Sequence, residues 1–499
     1  MVAMSDVTED ACIIFAKNTD RQANEPLATR YVPAATHPVP SRLRTTYMDI
    51  EQVNETNACI LFSPTNIFGA EMGFNAHGLV MGNEALFTKI PADRPRLTGM
   101  DLVRLVLERC SSSEGGKNTL VRLLQRYGQG GNAAFTSSFS YQNSFLIVDS
   151  REAWLIETVG TEYAAKRITS GIRTISNRIS FGHLDTFDEH SPNLIKQAID
   201  RGWCTSDADF HFGQCYSGFS FNPKHLFDGW IKTTLASSEQ RQCRSAALIT
   251  NRSKLLTVAD VFSVLRDHCA CQDSPGHGLT TTHLCMHAAF GPIRFSQTTG
   301  ALVSRLPTCS HQLATHYGTC TSLPCLSLFK PLWLDSSSLP LFSDDTLLNP
   351  TITYSSNNLW WNSEIMSRNV MKYYSELIDE LRSDRDRWEQ EMLRTSHRLA
   401  TPMITSTERK NYSIHCFQQA DQWILKWFRR AHSLSCQKHP SEYSLWQEFT
   451  WNRWRQSARI PVELLEYSKV RRGEYLLIAF FFVFFVLLIF ANLGIHEDD

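Results

Sequence analysis

The sequence predicts an α+β chain, and three observations predict it. Val2-Ala3-Met4 and Cys12-Ile13-Ile14-Phe15 are short apolar runs joined by polar Ser5 to Asp10, which reads as two connected strands. Ser144 to Val148 and Ala153 to Thr158 carry the alternation of a β-hairpin. Further on, Trp360, Ile365, Val370, Tyr374, Leu377 and Leu381 recur at helical spacing, with charge crowding the other face through Arg382 to Glu391. That pattern predicts one long amphipathic helix. A second helix is expected near Ile414 to Arg430, with Phe417, Trp423, Ile424, Trp427 and Phe428 on it. These aromatics suit packing against a core, and a membrane-proximal or partner surface is the alternative. Asp335 to Ser356, rich in Ser, Asp, Asn and Pro, reads as a loop.

A length of 499 residues allows two or three domains. The charge is balanced, 49 basic against 50 acidic residues for a formal net charge of −1, and Arg429-Arg430 and Arg471-Arg472 are too short to form a basic patch. Nucleic acid is therefore excluded as a partner. Of the 14 cysteines, the closest pair is Cys269-Ala270-Cys271; no paired Cys-x-x-Cys modules occur and the histidines do not fall at ligand spacing. Reduced, unpaired thiols and no zinc are expected. No internal repeat or low-complexity tract is present.

The chemistry-bearing stretch closest to the start is Lys17-Asn18-Thr19-Asp20-Arg21. By itself this is an ordinary polar strand end and turn. It is also what an N-terminal-nucleophile amidohydrolase needs just behind its catalytic residue. In such an enzyme an N-terminal Cys supplies the thiol as nucleophile and its own α-amine as base. An acid a short hairpin away anchors that amine, and a neighbouring cation favours the thiolate, the parts assigned here to Asp20 and Lys17. Gly69 to Ala85 adds four glycines between apolar pairs, a spacing for strands and tight turns where backbone approaches a ligand closely.

Together these blocks closely resemble the secernin/dipeptidase family of cysteine N-terminal-nucleophile (Ntn) hydrolases. The resemblance continues in order through Leu97 to Arg104, Tyr127 to Asn132, Asn143 to Asp149, Ala153 to Thr158, Ile175 to Arg178, Ser296 to Gly300 and Phe329 to Pro331. It covers roughly Val2 to Trp333. It implies a four-layer αββα sandwich, two antiparallel sheets face to face between helices, and hydrolysis of a linear amide or peptide bond through a thioester, with dipeptides as the substrate class. No metal or organic cofactor is implied.

The family's nucleophilic Cys would lie one to three residues before Met1, so the polypeptide is expected to be inactive as numbered, with a start assigned too late. Asn83 in Met-Gly-Asn-Glu and Asn177 in Ile-Ser-Asn-Arg match the residues that line the oxyanion hole in relatives. Arg294 is the candidate late basic residue, with Arg305 close behind. Lys17 stands where related acylases carry Arg, and lacks the planar fork of that residue. Cys12, internal and without a free amine, reads as a small buried hydrophobe. The competing expectation is a non-catalytic, membrane-tethered adaptor of secernin type in secretion.

The C-terminal end differs in kind. Leu476 to Gly494 is apolar apart from Asn492, long enough to cross a ~30 Å hydrocarbon core. Lys469, Arg471 and Arg472 precede it and Glu497-Asp498-Asp499 follow, which predicts a tail anchor with the body in the cytosol. The glycosylation patterns at Asn54, Asn251 and Asn411 would then be idle. The expected organisation is 1–335 as the hydrolase domain, 336–356 as a loop, 357–470 as a helical extension and juxtamembrane connection, and 475–494 as the anchor.

Overall fold

The computed structural model describes residues 1–217, 237–250, 252–269, 275–276, 283–288, 294, 296–334, 346–435, 437, 451 and 454–465. β1 (Val2–Ala3) lies antiparallel to β2 (Cys12–Gln22), as the two apolar runs predict, but β2 runs on through Lys17 to Arg21, the stretch expected to be a strand end and turn. Next come β3 (Leu27–Val32), β4 (Cys59–Pro64), β5 (Met72–Asn75) and β6 (Val80–Leu86), followed by helices α1 (Gly99–Arg109) and α2 (Ser113–Tyr127). The expected hairpin forms as β7 (Gln142–Val148) and β8 (Ala153–Val159), and β9 (Glu162–Ile168), β10 (Ile172–Arg173) and β11 (Glu189–His190) continue from it. After α3 (Ser238–Thr250) and α4 (Val258–Leu265) come β12 (Ser296–Pro307), β13 (Thr315–Gly318) and β14 (Lys330–Leu332).

The strands form two main sheets. One has six strands in the order β10-β1-β2-β12-β13-β14, the other eight in the order β11-β9-β8-β7-β6-β5-β4-β3. β7 and β8 are buried on both faces, because each main sheet is covered twice. Leu102, Val106, Leu120 and Leu123 of α1 and α2 pack on Phe145, Ile147 and Ile156 of the eight-stranded sheet. Val261, Phe262 and Leu265 pack on Ile14, Ala16, Val303 and Tyr317 of the other. Between the sheets Phe74 stacks on His316 with centroids 3.5 Å apart. At Gly318 a Cβ would sit 2.8 Å from Phe62 Cζ, so the sheets meet there at glycine distance. The layers are helix, sheet, sheet, helix.

Two of the motif blocks are explained by local structure. Thr98 and Asp101 form a capping box at the start of α1, Thr98 Oγ1 accepting from Asp101 N at 3.0 Å while Thr98 N donates to Asp101 Oδ2 at 3.0 Å. Gly128, Gly130 and Gly131 all have positive φ, a conformation that disfavours a side chain.

The single long helix expected after residue 357 is two helices. α5 (Leu359–Met371) ends and α6 (Tyr374–Leu399) begins across Tyr373, whose ψ of 38° leaves the helical region. α5 is buried almost all round, whereas α6 is amphipathic, so the two need different courses. Apolar spacing runs on through the break because Tyr373 and Tyr374 are both buried there. The second expected helix forms as α7 (Ser406–Ser435), longer at both ends than its apolar pattern. α5 docks on β12, with Trp360 Nε1 donating to Thr299 O at 3.0 Å, and Met392 of α6 and Cys416 of α7 join the core over the six-stranded sheet.

Residues to Arg459 form one compact unit, and Ile460 onward forms a second, whose described part is a 3₁₀ turn at Val462–Leu464. The apolar segment Leu476 to Gly494 lies outside the described residues. Among the described residues no helix is long and apolar enough to cross a membrane.

Candidate active site

The site begins with a strand left open at its edge. β1 pairs with β2 only as far as Met1, where Met1 N donates to Ala16 O at 2.7 Å and Ala16 N to Met1 O at 2.9 Å. Beyond Ala16 that edge of β2 borders a cleft lined by Lys17, Asn18, Asp20, Glu84, Thr174 to Ser176, Arg241 and Ser245. Successive side chains of a strand point to opposite faces. Lys17 thus reaches the cleft from between the sheets, and Asp20 from the helix-covered side.

Lys17 Nζ lies 3.0 Å from Glu84 Oε1 and 4.0 Å from Glu71 Oε2, and donates to Asn18 O at 3.3 Å. Burial opposes its charge, but Glu84 and Glu71 more than offset that and raise its pKa. Behind it Arg21 pairs with Glu71 at 3.0 Å and with Glu25 at 2.5 Å, extending a buried ladder of alternating charge. Burial raises the Asp20 pKa against the opposing pull of Arg241 and the Thr298 hydroxyl. Thr298 Oγ1 donates to Asp20 Oδ1 at 2.7 Å, and Arg241 Nη1 stands 3.6 Å from Asp20 Oδ2. Pairing between β2 and β12 slips between Thr298 and Gly300, an irregularity directly beside Asp20.

Of the residues expected from the sequence, the structure brings Lys17 and Asp20 to one cleft and joins Asn177 to it through Arg241. Arg241 Nη2 donates to Asn177 Oδ1 at 2.7 Å, and Asn177 Nδ2 donates to Ala85 O at 3.1 Å. The Asn83 side chain lies on the other face of its sheet. Gly82 and Glu84 face the six-stranded sheet, and Asn83 between them turns toward the helices, donating from Nδ2 to Asn143 Oδ1 at 3.0 Å. Asn143 in turn donates to Gln129 Oε1 at 2.9 Å and Gln129 to Thr158 Oγ1 at 2.8 Å, a buried polar chain. Arg294 is also elsewhere, buried and donating to Pro275 O at 2.8 Å and His287 O at 2.9 Å. Arg305 pairs with Asp10, at the opposite end of β12 from Thr298. Cys12 is buried at the far end of β2, and burial pushes its thiol up to about 12.

Two cleft residues escaped the sequence reading. Glu84 follows Asn83 directly, and strict alternation from Gly82 would have selected it. Arg241 comes from α3, and nothing in its local sequence marks it; only the packing of α3 brings it to Asp20.

The solved structures to which the chain is similar include the following two. For a conjugated bile acid hydrolase from Clostridium perfringens, identity is 11% and the TM-score 0.35, covering 66% of this chain and 92% of that one. For a penicillin V acylase from Agrobacterium tumefaciens the values are 14% and 0.34, with 68% and 86% covered. A sequence profile matches over residues 10–386, which take in β2, the Gly-rich blocks, β12 and α5, and on that match the chain belongs to peptidase family C69.

Proposed function

We propose that this hydrolase cleaves small linear amides of dipeptide type at the cleft beside β2. The reaction needs an N-terminal cysteine thiol at this end of β1, where the sequence has Met1 and Val2. The observation that carries this reading is the convergence of Lys17, Asp20, Glu84 and Arg241 where that end of β1 meets β2. Asp20 holds the α-amine of the nucleophilic residue, and Lys17 favours the thiolate. The thiolate attacks the amide carbon, the amine leaves with a proton, and water hydrolyses the thioester to release the acid and restore the thiol. Glu84 offers a carboxylate to the free amine of a dipeptide, and Arg241 a guanidinium to its carboxylate.

The test uses this chain with a free Cys placed at its N-terminus, verified by mass, against a dipeptide panel. Changing that Cys to Ala or Asp20→Asn should lower kcat/KM by about a thousandfold with the fold intact. Hydrolysis that survives the Cys change would refute the mechanism.

The apolar run Leu476 to Gly494, behind Lys469, Arg471 and Arg472, supports attachment of this hydrolase to a membrane with its body on the cytosolic side. The full chain should stay with membranes through alkaline carbonate washing, and a form ending at residue 470 should be released. Release of both would rule attachment out.

A further inference from the structure

Behind the cleft, four side chains that the sequence shows no reason to associate come together. His268, Cys285, His287 and Cys325 are all buried, and one ligand atom from each lies within 4.8 Å of the other three. His287 Nε2 is 3.1 Å from His268 Nε2, 3.3 Å from Cys325 Sγ and 3.6 Å from Cys285 Sγ. A ring nitrogen carries either one hydrogen or one lone pair, so a hydrogen bond accounts for only one of these three approaches. A single ion at the centre accounts for all of them. With Zn–N of about 2.0–2.1 Å and Zn–S of about 2.3 Å, the edges of a ligand tetrahedron run to about 3.3–3.8 Å, close to the three separations from His287 Nε2 and inside the 4.8 Å that spans the whole set.

We propose that His268, Cys285, His287 and Cys325 bind one zinc ion in a closed tetrahedral site. Two thiolates and two neutral imidazoles neutralise Zn²⁺, which suits full burial, and the set has the Cys₂His₂ composition of structural sites with no open position. Each thiol gives up its proton on binding.

The site would work by positioning. Its ligands come from three places: just past α4, the 283–288 segment and the turn at Pro324–Leu326. The first two also contact the catalytic strand. Asn18 Nδ2 donates to Leu265 O at 2.9 Å and to Leu284 O at 2.7 Å. Met286 N donates at 2.9 Å to Thr298 Oγ1, the hydroxyl that donates to Asp20. Arg294 braces the same segment through the His287 carbonyl. Zinc at the four ligands pins the wall that backs Asp20.

The full chain, expressed with zinc in the medium, is tested for metal by mass spectrometry and by replacement with Co²⁺. About one zinc per chain is expected, and the cobalt form should show the intense visible bands of a tetrahedral thiolate site. A Cys285→Ser, Cys325→Ser double variant should hold less than about a tenth of that metal, while Cys320→Ser, a buried cysteine outside the set, should hold it all. If the double variant does not fold, X-ray absorption on the wild-type zinc form decides, with two sulfur and two nitrogen ligands expected. A folded wild-type protein without metal, whose melting temperature neither chelator nor zinc moves, overturns the proposal. So does undiminished metal in the double variant. Neither result bears on whether the cleft hydrolyses amides, because that is read by the Asp20→Asn assay.

Discussion

At Asp20 burial and charge pull against each other. Its carboxyl is raised by burial in spite of Arg241 and Thr298. The folded state therefore binds a proton more readily than the unfolded chain, and the stability this lends at low pH is lost as pH rises from the unfolded value of about 4 through the raised folded value. Asn has no such titration. The melting temperature of Asp20→Asn minus that of wild type should thus grow as pH rises from about 4 through the raised folded value. Scanning calorimetry at several pH values checks this, and a difference flat across that window would show that Asp20 is not raised. Lys17 and Asp20 were legible in the sequence as one contiguous motif, read there as a strand end and turn, whereas the strand runs on through both to Gln22. Glu84, one position after Asn83 and on the opposite face of its strand, was not singled out, and Arg241 left no local trace.

At the scale of elements, close backbone approach decides what each motif block does. An added Cβ at Gly99 would fall 1.9 Å from Asn143 Oδ1, the atom that accepts from Asn83. Gly99→Ala would push β7 from the start of α1 and break the chain of buried amides through Gln129. We expect a cost of roughly 3 kcal/mol, with the melting temperature down by about 6 °C, read in thermal unfolding. A loss below about 0.5 kcal/mol would mean that Asn143 moves aside freely. The Leu97 to Arg104 and Tyr127 to Asn132 blocks thus have structural tasks, helix capping and positive-φ turns, although sequence resemblance alone cannot separate them from the site blocks. The break between α5 and α6 was hidden for a related reason: periodicity records which residues are buried, and burial continues through the turn.

For the whole molecule, the question is whether the helices after residue 357 are an addition to the hydrolase layers or part of them. Glu389 of α6 pairs with Arg266 through both carboxylate oxygens, each at 2.7 Å, and accepts from Phe329 N at 2.8 Å. Gln297 of β12 donates to Glu364 of α5 at 2.9 Å. A chain ending at residue 335 would leave the Arg266 charge buried without this carboxylate and expose the core under Met392 and Cys416. Leaving one buried charge without its partner costs about 3–5 kcal/mol before any apolar exposure is counted. The truncated chain should be insoluble, or lack a cooperative melt, where the same protein ending at Arg459 stays soluble. A soluble 1–335 fragment with a sharp transition would show that the layers stand alone.

The sequence by itself determined the α+β class, the Lys17 to Arg21 motif and the family, since each is written in contiguous residues whose spacing local geometry preserves. Only the tertiary structure decided that Arg241 and Glu84 complete the cleft, that Asn83 and Arg294 lie apart from it, and that two histidines and two cysteines meet behind it. Those relations join residues far apart in the chain. They arise from how sheets stack and helices dock, and packing of that kind leaves no period in the sequence.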